Sequence, residues 1–171
     1  MKISHLAKAG LVLASLLGLP QAGQAADKTL KAVVHADLKI LDPTWTSVYI
    51  TQRYGYVVYD TLFAFNSKYE PKPQMVESYT VSDDRMSYTF TLRPGLAFHD
   101  GQKVTSADVI ASLNRWMAKY SSGQVLKNYL ASLDAVDERT FKLVLAKPFG
   151  LVLEALGNPG TAFIMPEKIA N

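Results

Sequence analysis

One segment of the chain, residues 87–93, alternates without exception between polar and apolar side chains. Its apolar members share one face of an extended strand and are Tyr88, Phe90 and Leu92. A helix would scatter the same side chains around its circumference, so the alternation predicts a half-buried strand. Turn-forming residues at positions 82–85 precede the segment, and Tyr79 with Val81 can supply the other arm of a hairpin.

A capped helix is predicted to follow this strand. Thr105 and Asp108 have the spacing of a capping box, with Asp in place of the usual Glu. The apolar residues that come next recur at helical spacing and are Val109, Ile110, Leu113, Trp116, Met117 and Tyr120. Residues 121–123 should end this helix. A second amphipathic helical segment is then expected, carrying Val125, Leu126, Tyr129, Leu130 and Leu133.

Shorter elements are predicted on both sides of this region. They comprise a first strand at 30–35, a helix at 47–59 weakened by Gly55, a strand at 62–65, an irregular stretch at 66–73 containing two prolines, a hairpin at 134–136 and 140–145, helical turns at 151–156, and a strand leading into a helix at 163–168. Strands that pair through hairpins and mix with helices predict an α+β unit, attached to a first strand that belongs elsewhere.

The first 25 residues have the features of a cleavable secretion signal. Lys2 and Lys8 precede an apolar run at 11–19, and small residues lead to the expected cleavage point after Ala25. The rival interpretation, a membrane anchor, is disfavoured because the run is well short of the roughly 20 residues that span a bilayer. No cysteine follows the cleavage point, so a soluble periplasmic protein without a lipid anchor is expected.

Composition limits which partners the chain can bind and how its fold can be stabilised. The chain has no cysteine, so an apolar core must hold the exported protein without disulfides. The net charge of +3 falls once the two signal lysines are removed, which leaves the mature chain nearly neutral. Because no run or stripe of Lys and Arg remains, nucleic-acid binding is not expected.

Residues 83–101 and 105–109 together resemble the signature of the extracellular solute-binding proteins of the peptide and nickel importer family (family 5, dipeptide/oligopeptide-binding type). The parts are a turn, the alternating strand, Arg-x-Gly, Phe-His-Asp-Gly and the capped helix, in fixed order and spacing. Supporting matches are residues 41–43, 58–62, 73–78 and 148–156. The resemblance therefore covers nearly the whole mature chain.

This resemblance implies a mixed α/β fold in which an α+β subdomain is inserted into a two-lobed, type II periplasmic-binding-protein-like protein. Residues 26–62 would be the first segment of lobe I, 63–158 the inserted subdomain, and 159–171 a truncated return to lobe I. Family members are much longer, so the fold is expected to be incomplete in this chain, with the second lobe missing.

The resemblance also implies a function. Such a protein captures a small solute (a peptide, an opine, glutathione or a metal complex) by lobe closure and delivers it to an ABC permease in the inner membrane. No catalysis and no cofactor are expected, and the protein should be a monomer.

Within the signature, the residue types indicate structural roles. Gly95 and Gly101 suit backbone angles that other residues resist, and Asp108 suits a helix start. Arg93 is expected to pair with a surface carboxylate. His99 and Asp100 are neighbours whose side chains should point apart, so His99 is predicted to stabilise a turn and not to form a catalytic dyad.

Candidate ligand contacts lie near the start of the mature chain. His35, Asp37 and Lys39 follow the predicted first strand, and ligands of open α/β sheets collect beyond the carboxyl ends of strands. An exposed polar loop is the equal alternative. Trp45 and Tyr49 could form an aromatic wall, although a place in the core is favoured for them. His35 and Asp37 alone would make a poor metal site, so none is predicted.

Two other functions remain open from the residues alone. A small exported hydrolase would need a base, and His35 is the one plausible candidate. A truncated remnant could instead act as a non-binding interaction module.

Overall fold

The structure is a computed structural model that describes Lys31 and residues 33–171. The predicted secretion signal at 1–25 lies outside the described residues, as do Leu30 and Ala32 of the predicted first strand. The rest of that prediction is wrong, because Val34 and His35 are exposed and lie in no strand. A strand needs a neighbour to pair its backbone, and none of the described strands does so here.

The described elements are five helices and eight strands. In chain order they are α1 (Tyr49–Val58), β1 (Asp60–Thr61), β2 (Phe63–Phe65), β3 (Pro71–Pro73), β4 (Val76–Val81), β5 (Ser87–Leu92), α2 (Ser106–Lys119), α3 (Ser121–Lys127), β6 (Leu130–Ala135), β7 (Thr140–Leu145), α4 (Val152–Leu156), β8 (Phe163–Ile164) and α5 (Glu167–Ala170). Within the described part of the chain, none of the helices is both long and apolar enough to cross a bilayer.

A four-stranded antiparallel sheet, in the order β4-β5-β7-β6, organises the fold. The predicted hairpin of β4 and β5 is confirmed, and β5 alternates between half-buried polar and buried apolar residues as its sequence requires. Phe90 pairs with Phe141 of β7, and their rings stack with centroids 5.1 Å apart. The alternation thus places one side of a central strand in the core.

The predicted capped helix is α2, and its buried stripe completes the same core. Val109, Leu113 and Trp116 are buried and belong to one apolar cluster with Phe90 and Phe141. At the start of the helix, the Thr105 N–H donates to Asp108 Oδ2 over 2.8 Å, which confirms the capping box. Sequence periodicity and cap chemistry therefore agree with the packing.

The second predicted amphipathic helix is only partly correct. Helix α3 ends at Lys127, and the leucines beyond it lie in strand β6. Leu130 pairs with Leu145 and Leu133 with Leu143, with an irregularity of register between them. A β-bulge adds one residue to this strand, so two leucines three positions apart face the same core. The bulged strand therefore has the apolar spacing of a helix.

Two short ribbons lie beside the sheet. β1 pairs with β8, and β2 pairs with β3. The prediction that Pro71 and Pro73 exclude regular structure is wrong, since both lie in β3. Because β3 has a partner on one side only, a proline whose nitrogen faces away from β2 removes no ladder hydrogen bond.

Gly55, expected to weaken α1, instead allows the helix to pack. A methyl group at this position would lie 2.8 Å from the ring of Phe163 in β8 and 3.0 Å from Cβ of Pro43. A glycine is needed at this position because the backbone of the helix approaches β8 closely, and a larger residue would not fit.

Candidate functional site

The aromatic residues among the predicted ligand contacts lie on one exposed stretch that ends in the first turn of α1. Trp45 is 64% exposed and Tyr49 53%, so neither lies in the core that the described residues form, contrary to the favoured interpretation. The His35 ring lies 5.6 Å from the Tyr49 ring, centroid to centroid. The structure therefore brings His35 and Tyr49 together on an accessible surface.

Asp37 and Lys39, the other two predicted contacts, are exposed polar residues. Among the described residues neither forms an ion pair. The part of the chain that the structure describes contains no cluster of three or more His, Asp or Glu side chains that could hold a metal ion.

Two cations that sequence reasoning missed lie over the exposed rings. The Arg53 guanidinium is 4.4 Å from the centroid of the Tyr49 ring, and Lys119 Nζ is 5.3 Å from that of the Trp45 ring. Both distances are within cation–π range. We call Trp45, Tyr49, Arg53 and Lys119 the aromatic–cation ledge. The four-residue spacing of Tyr49 and Arg53 on α1 could have indicated the first pair, whereas the second depends on tertiary packing.

The loop that carries Trp45 is held by Asp42. One carboxylate oxygen of Asp42 accepts the N–H groups of Thr44 at 2.9 Å and Trp45 at 3.2 Å. The other oxygen pairs with the Arg115 guanidinium of α2, and Arg115 also donates to the Ile169 carbonyl over 2.6 Å. A partly buried ion pair thus fixes the loop to α2 and α5.

The Tyr120 hydroxyl makes a second attachment for the same loop. Its oxygen lies 2.6 Å from the Pro43 carbonyl and 3.0 Å from the Thr46 carbonyl, and it accepts a hydrogen bond from the Gln52 side-chain amide at 3.1 Å. Burial raises the pKa of Tyr120 above its ordinary value, so the hydroxyl keeps its proton and remains a donor.

A cleft of about 580 Å³ opens between the end of α1, the loop at 96–104 and α5. Its apolar lining includes Val57, Tyr59, Leu96, Phe98, Ile164 and Ile169. At its polar edge, His99 Nε2 is 3.1 Å from the Val58 carbonyl, while Asp100 pairs with Lys168 at 3.3 Å. His99 and Asp100 reach different partners, as predicted. However, His99 bridges its loop to α1 and does not act within its own turn.

The remaining signature residues have structural contacts. Gly95 and Gly101 adopt φ angles of +77° and +82°, as their predicted roles require. The predicted carboxylate partner of Arg93 is wrong. Its guanidinium instead faces the carbonyls of Val76 and Pro73, both at 3.4 Å, because Val76 pairs with the residue directly before it.

Asp108 has a role beyond its predicted cap. While Oδ2 caps α2, Oδ1 accepts the Glu167 N–H at 2.8 Å. The carboxylate therefore joins the starts of α2 and α5, a connection that local sequence could not reveal.

Comparison with known proteins identifies the group to which this architecture belongs. Residues 70–170 match the sequence model described as "Bacterial extracellular solute-binding proteins, family 5 Middle". The "Probable peptide ABC transporter periplasmic-binding protein" of Sinorhizobium fredii is 42% identical over 95% of the chain and 31% of its own length. The glutathione-binding protein GsiB of Salmonella typhi is 33% identical over 98% of the chain and 33% of its own length.

Solved structures agree with this relationship. The binding protein AgaA of A. tumefaciens, in complex with agropinic acid, superposes with a TM-score of 0.68 and 30% identity over 78% of this chain and 27% of its own. DppA of Helicobacter pylori, in complex with a peptide, superposes with a TM-score of 0.63 and 27% identity over 76% and 29%. The chain spans about a third of the length of the curated relatives it matches.

These matches confirm the mixed helix-and-sheet fold of type II periplasmic binding proteins, of which this chain covers a part. They also confirm the resemblance carried by the signature. The chain belongs to the bacterial extracellular solute-binding proteins of family 5.

Proposed function

We propose that this chain is part of the solute-binding component of an ABC importer, which captures a small solute and delivers it to a permease in the inner membrane. The observation that carries the proposal is the family match over residues 70–170, together with 42% identity to a peptide-importer binding protein. Members of the family are binding proteins and not enzymes by their names, so we propose no catalytic activity.

In this proposal, residues 26–62 and 159–171 belong to lobe I, and residues 63–158 form the inserted subdomain. Support comes from the ribbon of β1 and β8, in which Asp60 pairs with Ile164 and Thr61 with Phe163. The chain thus leaves and re-enters one place in the structure, as an insertion requires. A second lobe would have to come from sequence beyond these residues.

We propose that the protein is exported through a cleaved signal, is not lipidated, and is free in the periplasm. The Sinorhizobium fredii relative and DppA of Helicobacter pylori are periplasmic binding proteins by name. The absence of any cysteine in the chain is consistent with a protein that has no lipid anchor.

The proposed ligand surface includes His35, Asp37, Lys39, Trp45 and Tyr49. Its support is exposure, since large aromatic groups that are open at a protein surface are characteristic of recognition sites. Relatives are named for peptides and glutathione, and a solved neighbour is in complex with agropinic acid, so we propose a small organic solute.

Reading the gene beyond Asn171 and expressing the whole frame tests the proposal. We expect the frame to encode a second lobe, and the purified protein to gain several degrees of thermal stability with its solute, because a ligand that binds only the native state stabilises it. Trp45→Ala should reduce the shift, whereas Val136→Ala, at the exposed end of the β6 and β7 hairpin, should not.

A stop codon after Asn171 would contradict the two-lobed proposal and favour a remnant, for which no ligand-induced shift is expected. Turnover of a generic ester or amide that is lost on His35→Ala would favour the hydrolase.

A further inference from the structure

We infer that α2 is a coupling helix, which holds two segments far apart in sequence so that they open and close as one unit. The loop segment comprises residues 42–46, and the α5 segment comprises residues 165–170, which contain α5. In the proposed domain organisation both segments belong to lobe I, whereas α2 lies in the inserted subdomain. The inference concerns how these two parts are joined, and it does not depend on the identity of a solute.

Helix α2 lies between two separate apolar clusters. On one side, Leu113 and Trp116 are buried in the large core that the sheet shares. On the other side, Ala111 packs with Met165 and Ala170 in a second, smaller cluster. Apolar packing thus attaches both ends of the α5 segment to a side of α2 that faces away from the large core.

A row of polar side chains runs along this second side of the helix. Its members recur at intervals of four, three and four residues, which places them in one line, and they are Asp108, Ser112, Arg115 and Lys119. The buried Ser112 hydroxyl lies 3.0 Å from the nitrogen and 3.1 Å from the carbonyl oxygen of Met165. Because Met165 is also buried, both of its backbone groups need a protein partner. Ser112, together with the bond from the Glu167 N–H to Asp108, therefore fixes the start of the α5 segment to α2.

Arg115, the third member of the row, contacts both segments. One guanidinium nitrogen pairs with the Asp42 carboxylate of the loop segment, and another donates to the Ile169 carbonyl of the α5 segment over 2.6 Å. A continuous series of polar contacts thus runs from the loop segment through Arg115 to α5.

Cooperative opening follows from the position of Arg115 between the segments. Its ion pair with Asp42 is partly buried, and such a pair is stronger where water is excluded. If either segment moves away, water reaches the guanidinium and weakens its remaining contact. The closed state of each segment therefore stabilises the closed state of the other, and this coupling acts equally in both directions.

Hydrogen exchange of the chain, measured for single amides by NMR, tests the inference because it reports the opening of each segment separately. Asp42→Asn retains an oxygen that can accept the loop N–H groups, but it removes the charge that pairs with Arg115. The bonds that Asp42 makes among the described residues do not reach the α5 segment. We nevertheless expect the Met165 and Glu167 N–H groups to exchange at least about threefold faster in this variant, the size of a modest ion pair.

The reverse experiment perturbs the α5 segment and observes the loop segment. Ser112→Ala removes the hydroxyl that binds Met165, and it should accelerate exchange of the Trp45 N–H, which Asp42 accepts. In an Arg115→Gln background the connection is already lost, so Asp42→Asn should have no further effect on the exchange of Met165.

Arg139→Gln is the matched control, because Arg139 also joins a carboxylate, that of Glu77, to a backbone carbonyl, that of Leu92, but on the sheet. It should lower the stability of the whole fold and leave exchange in both segments unaltered. Unaltered exchange at Met165 and Glu167 in Asp42→Asn would overturn the inference. Equal acceleration in Arg139→Gln would do so too, because these amides would then exchange only when the whole fold opens. No solute enters the measurement, so either result leaves the proposed function as it stands.

Discussion

Replacing Gly55 by alanine tests whether close packing of α1 on β8 governs this region. The new methyl group would lie 2.8 Å from two ring carbons of Phe163, a residue only 1% exposed, and 3.0 Å from Cβ of Pro43. Alanine should favour the helix by about 1 kcal/mol through propensity. Overpacking a rigid site costs about 1–3 kcal/mol, so the two effects together leave a net loss of up to about 2 kcal/mol.

Urea unfolding, followed by far-UV circular dichroism, measures this loss as a change in midpoint at constant slope. The double variant Gly55→Ala with Phe163→Leu isolates the contact. When Phe163→Leu is already present, the alanine should cost less than it does in the native chain, with a coupling of about 1 kcal/mol or more. Gly150→Ala is the matched control, because a methyl group there meets open space. A stabilising Gly55→Ala, or no coupling to Phe163, would refute the packing argument.

Two further predictions concern carboxylates. Asp108→Ala should lower the free energy of unfolding by about 2 kcal/mol or more, since the helix cap and the acceptor for the Glu167 N–H are both lost. Asp108→Asn should cost less, because its amide oxygen can still accept one hydrogen bond. Urea titration of both variants checks this, and equal losses would contradict it. The Asp137 pKa is lowered, chiefly by the Arg139 N–H, and that of Asp100 chiefly by the Gln102 N–H. Their contribution to stability is complete above the ordinary Asp pKa of 3.8 and is lost as the pH falls below it. An acid titration should show a shallower decline for Asp137→Asn, and an unchanged slope would exclude this role.

The elements that the sequence predicted correctly are those decided by local patterns. β5 alternates because one face lies in the apolar core and the other is half-buried and polar, and α2 carries its own cap and stripe. These signals lie within one element and need no knowledge of its neighbours. The same holds for Gly95 and Gly101, whose backbone angles belong to their turns.

The errors arise where a neighbour decides the outcome. β6 resembles a helix because its register shift imitates helical spacing, and only pairing with β7 reveals the bulge. In the candidate site, exposure of Trp45 and Tyr49 depends on which surfaces the fold covers. The position of Lys119 over Trp45 depends on the packing of α2, so no local pattern contained it.

The ribbon of β1 and β8 also constrains the order of folding. Its two strands are joined by a connection on the order of 100 residues, whose closure costs more entropy than that of the tight turn between β4 and β5. Contacts of long sequence separation form slowly. We therefore expect the hairpins and α2 to assemble first and the ribbon to close last, so that residues 60–61 and 163–164 report the final step of folding.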